Sequence, residues 1–135
     1  MKKVGDISLA IFDIHSINVS YDESQVLTSF LRSQMAQTNF YTIVERQYIQ
    51  KILKEQGLQQ LDIFNQDTAV HLGKLVGAKK VLLGEVGQIG QTYTLTFRLV
   101  DVETGVVDKT ASKACKCAKD ELVNVISELA AQLGK

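Results

Sequence analysis

The chain has 135 residues, enough for one domain with a real core and without reliance on disulfides or metals. Fifteen acidic residues balance fifteen basic ones, and the longest basic runs are the pairs Lys2-Lys3 and Lys79-Lys80, so the basic stripe of a nucleic-acid binder is absent. Hydrophobic residues make up 45% of the chain, yet no stretch approaches the roughly 20 apolar residues that span a bilayer as a helix.

Met1-Lys2-Lys3 has the form of a secretory start, but Asp6 interrupts the segment after it, and no apolar run of about 7–15 residues follows. Two readings stay open: a protein kept in the cytoplasm, or an exported one whose leader lies outside this chain. Ile7 to Ile14 reads as a first strand, apolar at nearly every position from Leu9 to Phe12, the pattern of a strand covered on both faces. Ser20-Tyr21-Asp22-Glu23 has the S-x-x-E form of a capping box. The helix it opens places Val26, Leu27, Phe30, Leu31 and Met35 on one face, and Gln25, Ser29, Arg32 and Ser33 largely on the other.

Thr38-Asn39 ends that helix, and Phe40 to Val44 forms a short second strand, parallel to the first through a crossover. A second helix carries Tyr48, Ile49, Ile52 and Leu53 as its apolar stripe, with Gly57 as the C-terminal cap. Leu61 to Phe64 reads as a connection plugging one edge of the core. Asn65 or Asp67 caps a third helix, with Ala69, Leu72 and Val76 on one face and Gly77 at its end. Gly73, inside that helix, costs about 1 kcal/mol relative to alanine, which predicts close contact with a neighbouring backbone.

Lys80 to Ile89 and Tyr93 to Val102 form strands joined at Gly90-Gln91. In the second of them Tyr93, Leu95, Phe97 and Leu99 alternate with Thr94, Thr96, Arg98 and Val100. Glu103-Thr104-Gly105 supplies a turn into a fifth strand, Val106 to about Lys116, whose Lys109, Lys113 and Lys116 suit a protected sheet edge. Asp120 and Glu121 open a last helix marked by Leu122, Val125, Ile126, Leu129, Ala130 and Leu133. The expected order is βαβααβββα over residues 1–135. It describes a single mixed α/β domain whose five-stranded sheet joins a parallel pair to an antiparallel meander and is packed with helices.

Cys115 and Cys117 stand on the same face of a strand, side by side, where a bridge would be strained. A metal site would need two more ligands, and neither His15 nor His71 has matching spacing. The pair therefore reads as two ordinary thiols, with a redox or metal role as the alternative.

Four blocks in order carry a resemblance. They are Val44-Glu45-Arg46; Ile52-Leu53-Lys54-Glu55-Gln56-Gly57-Leu58-Gln59; Leu72-Gly73-Lys74-Leu75-Val76-Gly77-Ala78 followed by Leu83-Gly84; and Leu99-Val100-Asp101-Val102-Glu103-Thr104-Gly105. Together they resemble the curli-assembly CsgG family of bacterial envelope proteins over nearly the whole chain. The resemblance implies a periplasmic α/β domain of the kind found in outer-membrane lipoproteins, with a protein partner or its own copies as its target. In the curli channel, inserted hairpins build a membrane barrel. Here the loops Ser16–Asp22 and Gly90–Thr92 are shorter than the roughly 9–11 residues of one transmembrane strand, which argues against a pore. The lipid-attached cysteine of such proteins would lie outside this chain.

The motif positions Glu45, Arg46, Glu55, Gln56, Gly73, Gly77, Gly84, Thr104 and Gly105 are expected to build the fold or an interaction surface. Glu55-Gln56 reads as a solvated helix end, with a protein interface as the alternative. The sharper chemical reading places Asp13, His15, Glu45 and Arg46 at the C-terminal ends of the parallel strands, where open α/β sheets bind ligands. They would supply an acid, a base and an anion clamp for a small-ligand-binding or hydrolytic domain. The bland reading, favoured here, has Glu45 opening a helix and Arg46 pairing with Asp13. The glycines match neither phosphate-loop pattern, and no G-x-S-x-G element is present. No enzyme activity, cofactor or metal is expected.

Overall fold

The computed structural model describes residues 7–58, 63 and 65–134. Its elements run β1 (Ile7–Ile11), β2 (His15–Ile17), α1 (Tyr21–Gln37), β3 (Tyr41–Ile43), α2 (Arg46–Glu55), α3 (Gln66–Leu75), β4 (Lys80–Ile89), β5 (Thr92–Asp101), β6 (Val107–Cys115) and α4 (Leu122–Leu133), with a 3-10 turn at Lys119–Glu121 before α4. The main sheet order is β3-β1-β4-β5-β6, and β2 adds a sixth strand that pairs with β4. β1 runs parallel to both β3 and β4, while β4, β5 and β6 form an antiparallel meander. The mixed α/β fold is as expected; the extra strand corrects the expected loop after Ile14. His15, Ser16 and Ile17 pair in parallel with Glu85, Val86 and Gly87.

Two cores lie on opposite faces of the sheet. Leu9, Ile11, Leu82, Leu95, Phe97 and Leu99 pack under α1 and α4. Ala10, Phe12, Val81, Leu83 and Val100 pack under α2 and α3. β1 is thus covered on both sides, which is why its sequence is apolar without alternation. In β5 the side chains at 93, 95, 97 and 99 are all buried, on the α1/α4 face.

The capping box forms at α1: the Ser20 hydroxyl accepts from the Glu23 N–H, and the Glu23 carboxylate accepts from the Ser20 N–H. The expected buried face of α1 needs correction at Val26, which is 64% exposed, whereas Ser24 and Thr28 are buried. Thr28 earns its place by polarity. Its hydroxyl donates to the Ser24 carbonyl and accepts from the Ile14 N–H, satisfying the backbone where β1 hands over to β2.

Helices α2 and α3 end alike. Gly57 (φ +70°) and Gly77 (φ +74°) are left-handed. The Leu58 N–H reaches the Leu53 carbonyl, and the Ala78 N–H reaches the Gly73 carbonyl. Both are Schellman caps, which need the left-handed residue that glycine supplies without steric cost. Gly73 does sit in close contact, but with side chains rather than a backbone. A Cβ there would stand 2.7 Å from Val81 and 2.8 Å from Val102. Asn65 caps α3 by accepting from the N–H groups of Asp67 and Thr68. Of the 61–64 stretch, only Ile63 lies among the described residues, and it is buried.

Cys115 and Cys117 form a disulfide, correcting the expectation of two thiols. The reason is local. The strand ends at Cys115, so the two Cα atoms approach to 5.4 Å instead of keeping an extended spacing, within the ordinary range for a bridge. Strand β6 is a sheet edge, as its lysines suggest. Lys113 pairs with Glu128 of α4 at 2.7 Å, and Lys109 lies over the Phe40 ring at 5.8 Å.

Candidate functional site

The chain ends of β1 and β3, the middle of α1 and the start of α2 converge on a polar cluster. Asp13 follows β1 and is buried, with its side chain 3% exposed. A carboxylate withdrawn from water must be paired or hydrogen-bonded. Its Oδ2 accepts from Gln25 Nε2 at 2.8 Å and from Arg46 Nη2 at 3.3 Å. The same Arg46 nitrogen donates to Gln25 Oε1 at 2.5 Å, closing a triangle of three side chains. Arg32, about two helical turns further along α1, donates to the carbonyls of Ile11 and Val44, the trailing ends of the two parallel strands.

Two guanidinium groups thus share one neighbourhood. Burial lowers the pKa of Arg32, the charge of Arg46 lowers it further, and Asp13 opposes both. Arg46 Nε is buried and, among the described residues, has no hydrogen-bond partner. Sequence periodicity assigned Gln25 and Arg32 to a solvent face. Both are half-buried, because Arg32 bends its guanidinium toward the carbonyls of Ile11 and Val44 and Gln25 turns its amide to Asp13 and Arg46, while their stems cover apolar surface.

Of the four residues of the chemical reading, Asp13 and Arg46 are in direct contact. Glu45 is exposed at the N-cap of α2 and makes no side-chain capping bond; its carbonyl accepts from Tyr48 and Ile49. His15 opens β2, half-buried, in register with Glu85. Glu55 and Gln56 lie exposed at the end of α2. Among the described residues, no group of three or more His, Cys, Asp or Glu side chains is placed to hold a metal, and no helix is long and apolar enough to cross a membrane.

Thr104 and Gly105 build the β5–β6 turn. The Asp101 carboxylate accepts from the Thr104 N–H at 3.0 Å, and Gly105 is left-handed at φ +73°. The Thr104 N–H, and then Lys80, hold the Asp101 carboxyl below its ordinary pKa. Gln66, at the start of α3, donates to the Gly105 carbonyl and accepts from Arg98, fastening the turn to the helix.

Beyond the reach of α2 and α3 the second sheet face is open. Ile17 and Ile89 are 46% and 76% exposed there, on the same face as the exposed Thr94, Thr110 and Ser112. Next to this surface Ile63, Leu83, Glu85, Thr96 and Arg98 line a cavity of about 190 Å³, small for a ligand pocket.

The sequence profile of the curli production assembly/transport component CsgG matches residues 8–95. No curated protein matches the chain significantly. The C-terminal domain of LpoB from Salmonella enterica is similar in structure, with a TM-score of 0.70 and 22% identity, over 83% of this chain and 84% of that one. Lipoprotein GNA1162 from Neisseria meningitidis gives 0.69 at 14% identity, over 95% and 96%. The PelC dodecamer from Paraburkholderia phytofirmans gives 0.61 at 15% identity, over 93% and 85%. At these identities the structural likeness is one of fold.

Proposed function

Because the chain belongs to the family of the curli production assembly/transport component CsgG, we propose that it is a non-enzymatic assembly domain of the bacterial cell envelope. It acts on the periplasmic side, carried by a lipoprotein at the outer membrane, and it binds protein: its own copies first, or another envelope protein. Family membership carries this reading. The bridged Cys115–Cys117 pair supports it, since such bridges persist in oxidising compartments. Exposed Ile17 and Ile89 on an uncovered sheet face suit a protein contact, and PelC, a protein of the same fold, is a dodecamer. The domain is not itself a pore: the β4–β5 connection is Gly90-Gln91 and the β2–α1 connection is Asn18 to Ser20.

The test is cell fractionation of the protein expressed from its own gene, combined with photo-crosslinking from position 89. The reading predicts recovery with the envelope and crosslinked species of discrete mass. Recovery in the cytosol, uncrosslinked, contradicts it.

A second reading rests on the buried, unpartnered Arg46 Nε. On it, Asp13, Gln25, Arg32 and Arg46 hold a small anionic ligand, with His15 and Glu45 at the rim. The closed triangle among Asp13, Gln25 and Arg46 favours a structural role, because the donors that would clamp an anion already serve a carboxylate.

A further inference from the structure

We propose that the Cys115–Cys117 disulfide is a thiol–disulfide exchange site that takes two electrons from a dithiol. The bridge does little for the fold. A ring closed across one intervening residue withdraws the least entropy from the unfolded chain. Both of its ends are already fixed. Cys115 is paired with Tyr93 in the sheet, and α4, which follows the 3-10 turn directly, is anchored by the fully buried Leu122 at its start and by Val125 and Ile126 a turn further on.

The bridge is also reachable. Both cysteines are only half-buried, and Cys117 lines an open cleft of about 410 Å³ together with Tyr93, Lys116 and Lys119. Lys116 stands between the two sulfurs in sequence, and Lys119 follows at the same rim, where it pairs with Glu23 at 2.5 Å. With Lys119 held by Glu23, Lys116 is the cationic neighbour that favours the thiolate as attacking and as leaving group.

The exchange balances as follows. One thiolate of the dithiol attacks Sγ of Cys117, an S–S bond to that sulfur forms, the Cys115–Cys117 bond breaks, and Cys115 leaves as a thiolate. The second thiolate of the reductant then attacks its own bonded sulfur. Cys117 is released as a thiolate, both cysteines take up protons, and the reductant departs as a disulfide. The reverse sequence oxidises a dithiol.

The full chain, oxidised, is incubated with excess reduced glutathione or with a dithiol, quenched with N-ethylmaleimide and weighed intact. Thermal melts of the oxidised chain, the reduced chain and the C115S/C117S variant accompany it. The expected result is gain of two maleimide groups under glutathione alone, a stable glutathione adduct on Cys117 when the C115S variant is instead given oxidised glutathione, with one reduced glutathione released, and melting shifts of at most about 4 °C. A bridge that survives excess glutathione overturns the proposal, as structural disulfides do. So does a larger fall in melting temperature on reduction, which marks a staple of the fold. Melting the reduced wild-type chain keeps the test independent of whether the variant folds.

Discussion

Gly84 faces Phe97 across the β4–β5 ladder so closely that a Cβ at position 84 would stand 2.5 Å from two carbons of the ring. Phe97 is fully buried at the centre of the α1/α4 core, and the missing side chain at 84 is the space its ring occupies. Gly84→Ala should therefore overpack this core and destabilise the fold by about 1–3 kcal/mol in urea unfolding. Combining it with Phe97→Leu should recover part of that loss; a double variant no better than the sum of the single changes would show that the ring is not the obstacle.

Gly57→Ala and Gly77→Ala should behave as a matched pair. Neither position has any atom within 4 Å of a built Cβ, so the cost is one of backbone conformation alone, at φ +70° and +74°. Each should lose about 1–2 kcal/mol, and asparagine should cost less than alanine at both sites. Denaturant midpoints for the four variants check this.

Much of this architecture is legible in the sequence because it rests on local rules. The Ser20–Glu23 box, the alternation through β5 and the two glycine caps each need only a few neighbouring residues to be recognised. What escapes depends on distant partners. His15-Ser16-Ile17 is too short to show a strand period and becomes a strand only beside Glu85, Val86 and Gly87. Val26 fits the apolar stripe of α1, yet Thr28 is buried because the Ile14 N–H needs an acceptor. Gln25 and Arg32 read as solvent-facing until the strand ends and Asp13 are placed next to them. The disulfide is illegible for a different reason: the strand pattern runs on to about Lys116 in the sequence, whereas the strand itself ends at Cys115. Asp13 and Arg46 could be suspected from their positions, but their joint partner Gln25 gave no signal.

Arg46→Met should separate the scaffold from the ligand reading. It removes the donor to both Asp13 and Gln25 and leaves a buried carboxylate with one fewer partner, so a structural role predicts a loss of about 2 kcal/mol. His15→Ala, in contrast, should change stability little. A ligand site predicts stable variants at both positions with binding lost, as followed by calorimetry with small anions.

Acid should weaken the β5–β6 turn. The Asp101 carboxyl is held below its ordinary pKa by the Thr104 N–H and by Lys80. A depressed folded pKa gives stability that is present above the unfolded value, about 4, and is lost as pH falls through the folded one. Asp101→Asn should accordingly lower stability at neutral pH and flatten the acid limb below about pH 4. Melting curves across the acid range read this directly; an unchanged acid limb in the variant would remove Asp101 from the account.

The central claim is that this CsgG-family domain works by assembling with protein, its own copies first. Absolute mass by light scattering, over a hundredfold or so of concentration, tests it most directly, with the chain kept oxidised at Cys115–Cys117. The account predicts a discrete multiple of 15.0 kDa that persists on dilution, and reversion to one chain when Ile17 and Ile89 are both changed to aspartate. A mass of 15.0 kDa at every concentration would contradict self-assembly by this domain.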